Sequence, residues 1–261
     1  ALFSILFIGI PHGAFDGAIS ITLGYTKKLR LQLYFILTYI LVSCVVIILW
    51  YFLPVITLVL FILTSIFHFG CGDLDWNKSK FYFIGGYVHG CLIVLGIIFL
   101  NKIEVNSFFE ILSGDQLSLL WTSLYLGLFF WIIAITYICL NYSKINISNN
   151  YIKLALSISL VVLLLPPLPA FAIYFCLIHS FHHIRRTLPI LVDFMEKQKA
   201  IFLMIIFSIL SWVGCGIAFY YLSNLNTYPD TIIKVTFIGL AALTFPHMIL
   251  VDGIFRSKFK I

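Results

Sequence analysis

Long apolar runs fill almost the whole chain, each closed by a short polar break or by proline and glycine. About 20 apolar residues are enough for a helix to cross a bilayer core. The runs predict spans near residues 1–24, 31–53, 54–72, 81–100, 117–140, 151–165, 170–190, 200–222 and 231–253. Two boundaries rest on proline. Pro54 separates two runs with almost no loop, and Pro166-Pro167-Leu168-Pro169 breaks any helix that enters it. The first run lacks the basic flank of a signal peptide and is read as a true span.

Composition agrees with that pattern. Of the 261 residues, 62% are hydrophobic and 10% charged, and the mean hydropathy is +1.10. The expected fold is all-α: a polytopic transmembrane helical bundle of about nine spans, eight or nine, with residues 1–261 forming one integral-membrane domain. No stretch is left for a soluble domain. The six cysteines, Cys44, Cys71, Cys91, Cys139, Cys176 and Cys215, show no CxxC or CxxCH spacing and read as small packing residues.

Charge orients the bundle. With nine spans, alternate loops place every Lys and Arg except Lys102 and Lys234 on one side, and merging either proline-divided pair of spans destroys that bias. The positive-inside rule then favours an odd count, with the C-terminus cytoplasmic and the N-terminus opposite. The net charge of +6 belongs to loops facing anionic lipid, not to a nucleic-acid surface.

Histidine is the unexpected residue. His12, His68, His89, His179, His182, His183 and His247 all fall at mid-depth or in the cytoplasmic half of their spans. Ionisable groups at such depth face the bundle interior and mark functional sites. In Ile178-His179-Ser180-Phe181-His182-His183 the histidines at 179 and 183 share one helical face and can chelate one metal, whereas His182 points about 100° away from His183. The plain alternative is a histidine-bearing helix end anchored by Arg185 and Arg186.

Gly9-Ile10-Pro11-His12-Gly13-Ala14-Phe15-Asp16-Gly17 interrupts the first span with residues that a lipid-facing helix excludes. Asp16, one turn after His12, could orient its imidazole from the second shell or bind a metal directly; a kinked helix with a simple His–Asp hydrogen bond is the competing reading. Phe67-His68-Phe69-Gly70 offers a third arm, or an interfacial histidine ahead of Asp73 and Asp75. His89 and His247 are alternates for any favoured ligand. Neutral imidazoles suit iron, copper, zinc or nickel.

Pro-His-Gly-Ala-x-Asp at residues 11–16, His-Phe-Gly at 68–70 and His-x3-His at 179–183 followed by Arg together resemble the Brp/Blh family of membrane β-carotene 15,15′-dioxygenases, over nearly the whole chain. The resemblance implies a ferrous ion, Fe(2+), held by His12, His68, His179 and His183, with Asp16 behind them and His182, His89 and His247 as alternates. It also implies O2-dependent cleavage of β-carotene to two molecules of all-trans-retinal. A bacterial or archaeal cell membrane would be the setting, and a microbial rhodopsin a candidate user of the retinal. Aromatic side chains are abundant enough to line a polyene slot, and Tyr87, Tyr174 and Trp212 are the first to test; aromatics also fill ordinary membrane cores.

Other classes remain in view. His179-x-x-His182-His183 matches one box of the membrane di-iron desaturases and hydroxylases, which normally carry several such boxes. A histidine-lined metal or proton transporter would use the same residues as a relay, and a haem protein would use two of them as axial ligands.

Overall fold

The computed structural model describes residues 1–74, 80–145 and 148–259. Asp75, Lys78, Lys260 and the side chain of His12 lie outside the described residues. Every regular element among those described is helical, as expected where the backbone must satisfy its own polar groups.

Among the described residues six helices are long and apolar enough to cross a membrane: Leu29–Phe52, Pro54–Asp73, Tyr82–Leu100, Ser118–Leu140, Lys197–Leu222 and the run Tyr228–Phe259. The three other expected spans are helical but shorter or interrupted. Asn149–Leu164 is a 16-residue helix opened by Ser148, whose side chain accepts from Tyr151 N–H. The first stretch comprises Leu2–Ser4, a π-helical Ile5–Gly9, Ile10–Gly13 and Asp16–Thr22. The stretch after the proline cluster comprises Pro167–Ile173, a π-helical Tyr174–His179 and Ser180–Val192. Both proline boundaries hold. Leu53 leaves the helical region at φ −135° and ψ 56°, and Pro166 is extended at ψ 160° before Pro167 starts a new helix.

Among the described residues three π-helical stretches adjoin histidines. Ile5–Gly9 precedes Pro11-His12, Tyr174–His179 ends on a histidine, and Ile249–Phe255 begins two residues after His247. Such wider turns are uncommon and concentrate at functional sites, because they re-aim side chains relative to a regular helix.

The chain divides into two compact units. One contains Ala1 and Pro54–His179, the other Leu2–Leu53 and Ser180–Ile261. In the first, Pro54–Asp73 packs most extensively against Tyr82–Leu100, along a seam of Gly70, Gly86 and Gly90. A Cβ on Gly70 would run into the Gly86 carbonyl, one on Gly90 into the Ile66 carbonyl, and one on Gly86 into Cys71 Sγ. Gly86 and Gly90 are spaced as in GxxxG pairs, which let membrane helices approach backbone to backbone. This contact fixes the helix that carries His68 and Asp73. Gly90→Ala should therefore destabilise the fold by about 1–3 kcal/mol through overpacking, although alanine is the better helix former. A thermal melt in detergent checks the sign, and an unchanged or raised midpoint would remove the seam from the account.

In the second unit Tyr228–Met248 packs on Leu29–Phe52 and on Lys197–Leu222. Phe15, Ala18, Ile19, Leu191, Ala200, Leu250, Val251 and Phe255 form a buried apolar cluster, which anchors the segment carrying Asp16.

Candidate metal centre

In the first unit, four residues from two helical segments meet. His68 and Asp73 lie at the end of Pro54–Asp73, and Tyr174 and His179 at the two ends of the π-helical stretch. All four are buried. Tyr174 Oη donates to Asp73 Oδ2 at 2.6 Å, and His179 Nδ1 lies 3.3 Å from Asp73 Oδ1. In an α-helix, residues five apart diverge by about 140°. The i→i+5 winding of a π stretch brings them towards one side, so that both reach one carboxylate. The His68 and His179 rings meet edge to face, with centroids 4.9 Å apart, and Phe69 stands 4.8 Å from His179.

The second unit repeats this grouping with different residues. His247 Nδ1 lies 2.8 Å from Asp16 Oδ1, and Tyr39 Oη donates to Asp16 Oδ2 at 2.9 Å. His183 meets His247 edge to face at 5.2 Å between centroids. Asp16, His183 and His247 are buried. Asp16, the acid expected to orient His12, lies against the imidazole of His247. That pairing joins positions 231 residues apart.

An ionised carboxylate can only accept hydrogen bonds. Flanked by a donating phenol, it holds the proton on Nδ1 of the facing imidazole, and Nε2 is then the nitrogen with a lone pair for a metal. Carboxylates backing metal-bound histidines commonly work in this way. In each unit the donors fit a divalent transition metal: two buried imidazoles in apolar surroundings, one of them carboxylate-backed. Among the described residues no group of three or more His, Cys, Asp or Glu forms a metal-holding cluster.

The other expected residues have separate placements. His182 is half-buried beside the buried His183. His89 is fully buried, with Nδ1 3.3 Å from the Tyr151 hydroxyl. Tyr87 donates to the Gly127 carbonyl at 2.8 Å, and Trp212 Nε1 to the Leu6 carbonyl at 2.8 Å. Tyr174 is tied to Asp73 as described. All six cysteines are free thiols.

Sequence reasoning missed three residues of these groupings in their roles: Asp73, Tyr39 and Tyr174, which it offered to a polyene slot. Asp73 carried a signal, as an acid closing an apolar run five residues after His68. Tyr39 carried none, being one aromatic among several in a helix that is mostly apolar.

No solved structure matches the chain. A beta-carotene 15,15′-dioxygenase of Uncultured marine bacterium 66A03 is 35% identical over 268 residues, covering 100% of this chain and 96% of the relative. Residues 3–255, which include both histidine–carboxylate groupings, match the family Beta-carotene 15,15'-dioxygenase. On a match of that extent, joined to a full-length relative, the chain belongs to the beta-carotene 15,15′-dioxygenase family.

Proposed function

We propose that this chain is a membrane oxygenase that cleaves β-carotene at its central 15,15′ double bond. Each carbon of that bond takes one oxygen atom of O2, so two molecules of all-trans-retinal form and no external reductant is required. The supporting observation is the pair of Tyr–Asp–His groupings with buried acid and imidazole, Tyr174–Asp73–His179 and Tyr39–Asp16–His247. Family membership and the name of the full-length relative supply the substrate.

The residues proposed to hold Fe(II) are His12, His68, His179 and His183. His247 joins them as a candidate because a carboxylate backs its Nδ1. Bound at neutral imidazoles, iron supplies redox chemistry towards O2. Asp73 and Asp16 each fix the tautomer of the imidazole they face and each supply a buried negative charge, which would offset positive charge on a metal ion bound at that imidazole. Tyr174 and Tyr39 hold the carboxylates in place, and the apolar helices exclude water from the reacting carbons. Tyr87, Tyr174 and Trp212 are the aromatic residues proposed for trial against the polyene.

The enzyme would work as one domain of nine membrane crossings in a bacterial or archaeal cell membrane, its C-terminus cytoplasmic. Its retinal would be available to a microbial rhodopsin. Protein purified without oxygen, loaded with Fe(II) and given β-carotene and O2 should yield two retinal per substrate by chromatography. Folded, iron-loaded protein that forms no retinal would refute the proposal.

A further inference from the structure

Within the second unit an apolar cavity of about 600 Å³ lies between Leu29–Phe52, Lys197–Leu222 and Tyr228–Met248. That volume falls in the range of small-molecule sites, about 300–1,000 Å³. Its walls include Ile40, Ile47, Leu210, Gly214, Ile238 and Leu243. The polar groups it meets are largely committed elsewhere. Ser211 Oγ donates to the Phe207 carbonyl at 2.9 Å, and Lys234 Nζ to Asn226 Oδ1 at 2.6 Å. A polar ligand would find little to bind there, whereas a hydrocarbon needs nothing more.

The cavity has a direction. Tyr39, Phe207, Ser211 and Leu243 also line a second, smaller cavity of about 60 Å³, whose remaining walls include Asp16 and His247. One end of the large cavity thus abuts the Tyr39–Asp16–His247 grouping, and the other lies at Lys234. From position 234 to position 247 a helix advances about 20 Å, which suits an extended chain better than a compact substrate. At the shared wall, the Phe207 ring sits where a Cβ on Gly17 would be.

We infer that this cavity receives one ring-bearing half of the carotenoid, with the central double bond towards His247 and the ring towards Lys234. The inference rests on the carotenoid reading of the metal centre. It names the path by which that half enters, from lipid and between helices, so that a water-insoluble substrate never crosses water.

Glycine gives a clean test. A Cβ at Gly214 meets nothing within 4 Å, and the same holds at Gly216. Gly214 lines the cavity and Gly216 does not, since two helical steps turn a side chain by about 200°. Gly214→Phe should fill the cavity and Gly216→Phe should point away from it. With iron content and thermal midpoint unchanged, Gly214→Phe is expected to raise KM for β-carotene by about tenfold or more, while Gly216→Phe behaves as the parent chain.

Binding should be read separately from turnover, by quenching of tryptophan fluorescence when β-carotene is added to metal-free protein in nanodiscs. If the parent chain binds and Gly214→Phe does not, the cavity assignment stands even should cleavage fail. If Gly214→Phe binds and turns over β-carotene like the parent, the assignment falls while the activity stands, and the cavity holds an acyl chain of lipid. Absence of binding to the parent chain would also overturn it.

Discussion

Alanine at His179 is expected to remove bound iron and retinal formation together. His179 is almost fully buried, its Nδ1 faces Asp73, and its ring meets His68 edge to face. Loss of the imidazole removes a donor and leaves Asp73 buried with one fewer partner. Asp73→Asn separates those effects. An asparagine amide can donate to Nδ1, which drives the imidazole proton to Nε2 and blocks the lone pair a metal needs. Changes behind a metal-bound histidine typically cost about 10–100-fold in metal affinity, and that loss is expected for Asp73→Asn with the helix intact. Tyr174→Phe, which deletes only the 2.6 Å bond to Asp73, should lie between Asp73→Asn and the parent chain. Metal analysis after dialysis against a graded chelator measures all three. On the same helical run, His183→Ala should behave like His179→Ala and His182→Ala should cost less, in keeping with the burial of His183 and the partial exposure of His182. Equal losses at 179, 182 and 183 would undermine the one-face argument.

The second large effect is expected at Asp16 and His247. Asp16→Asn should weaken iron retention about as much as Asp73→Asn, about 10–100-fold, for the same tautomeric reason. The partner through which Asp16 acts can be identified by a double-mutant cycle. If Asp16 works by orienting His247, as their 2.8 Å contact implies, the Asp16→Asn cost should vanish in a His247→Ala background. If it works through His12, the two costs should add. Cobalt substitution gives an independent readout, because loss of an imidazole ligand changes the visible absorption of bound Co(II) whether or not the protein turns over carotenoid. A His247→Ala protein with parental iron affinity and an unchanged cobalt spectrum would exclude His247 from the metal centre.

Much of this protein is legible in one dimension. A backbone buried in lipid has few options, so apolar runs of sufficient length read directly as helices, and Pro54 and the cluster at residues 166–169 end helices where their missing N–H groups and ring clashes require it. The histidines also announce themselves, because imidazole in an oily chain is costly enough to need a reason. Asp16 stood out likewise. Less legible was the partner of each group. Proximity in sequence suggested His12 for Asp16, and nothing along the chain pointed to His247, which lies against the acid from the other end of the chain. Helix period alone does not place Tyr174 and His179 on one carboxylate, since a regular α-helix would separate them and the π-helical winding is a property of the packed segment. Tyr39 could not have been singled out in a helix where nearly every residue is apolar.

The sequence by itself determined the solvent, the helical class, the main helix breaks, the presence of intramembrane imidazoles and carboxylates, and the family to which they point. All of these follow from local costs: backbone groups without water, proline without a donor, charge in hydrocarbon. Only the tertiary structure decided which carboxylate backs which imidazole, that a Tyr–Asp–His grouping occurs in each unit, and that a hydrocarbon-lined cavity ends at one of them. Those pairings join residues as far apart as Asp16 and His247. They depend on the close approach of whole helices, set by packing such as that of Gly70, Gly86 and Gly90, and no local rule along the chain encodes them.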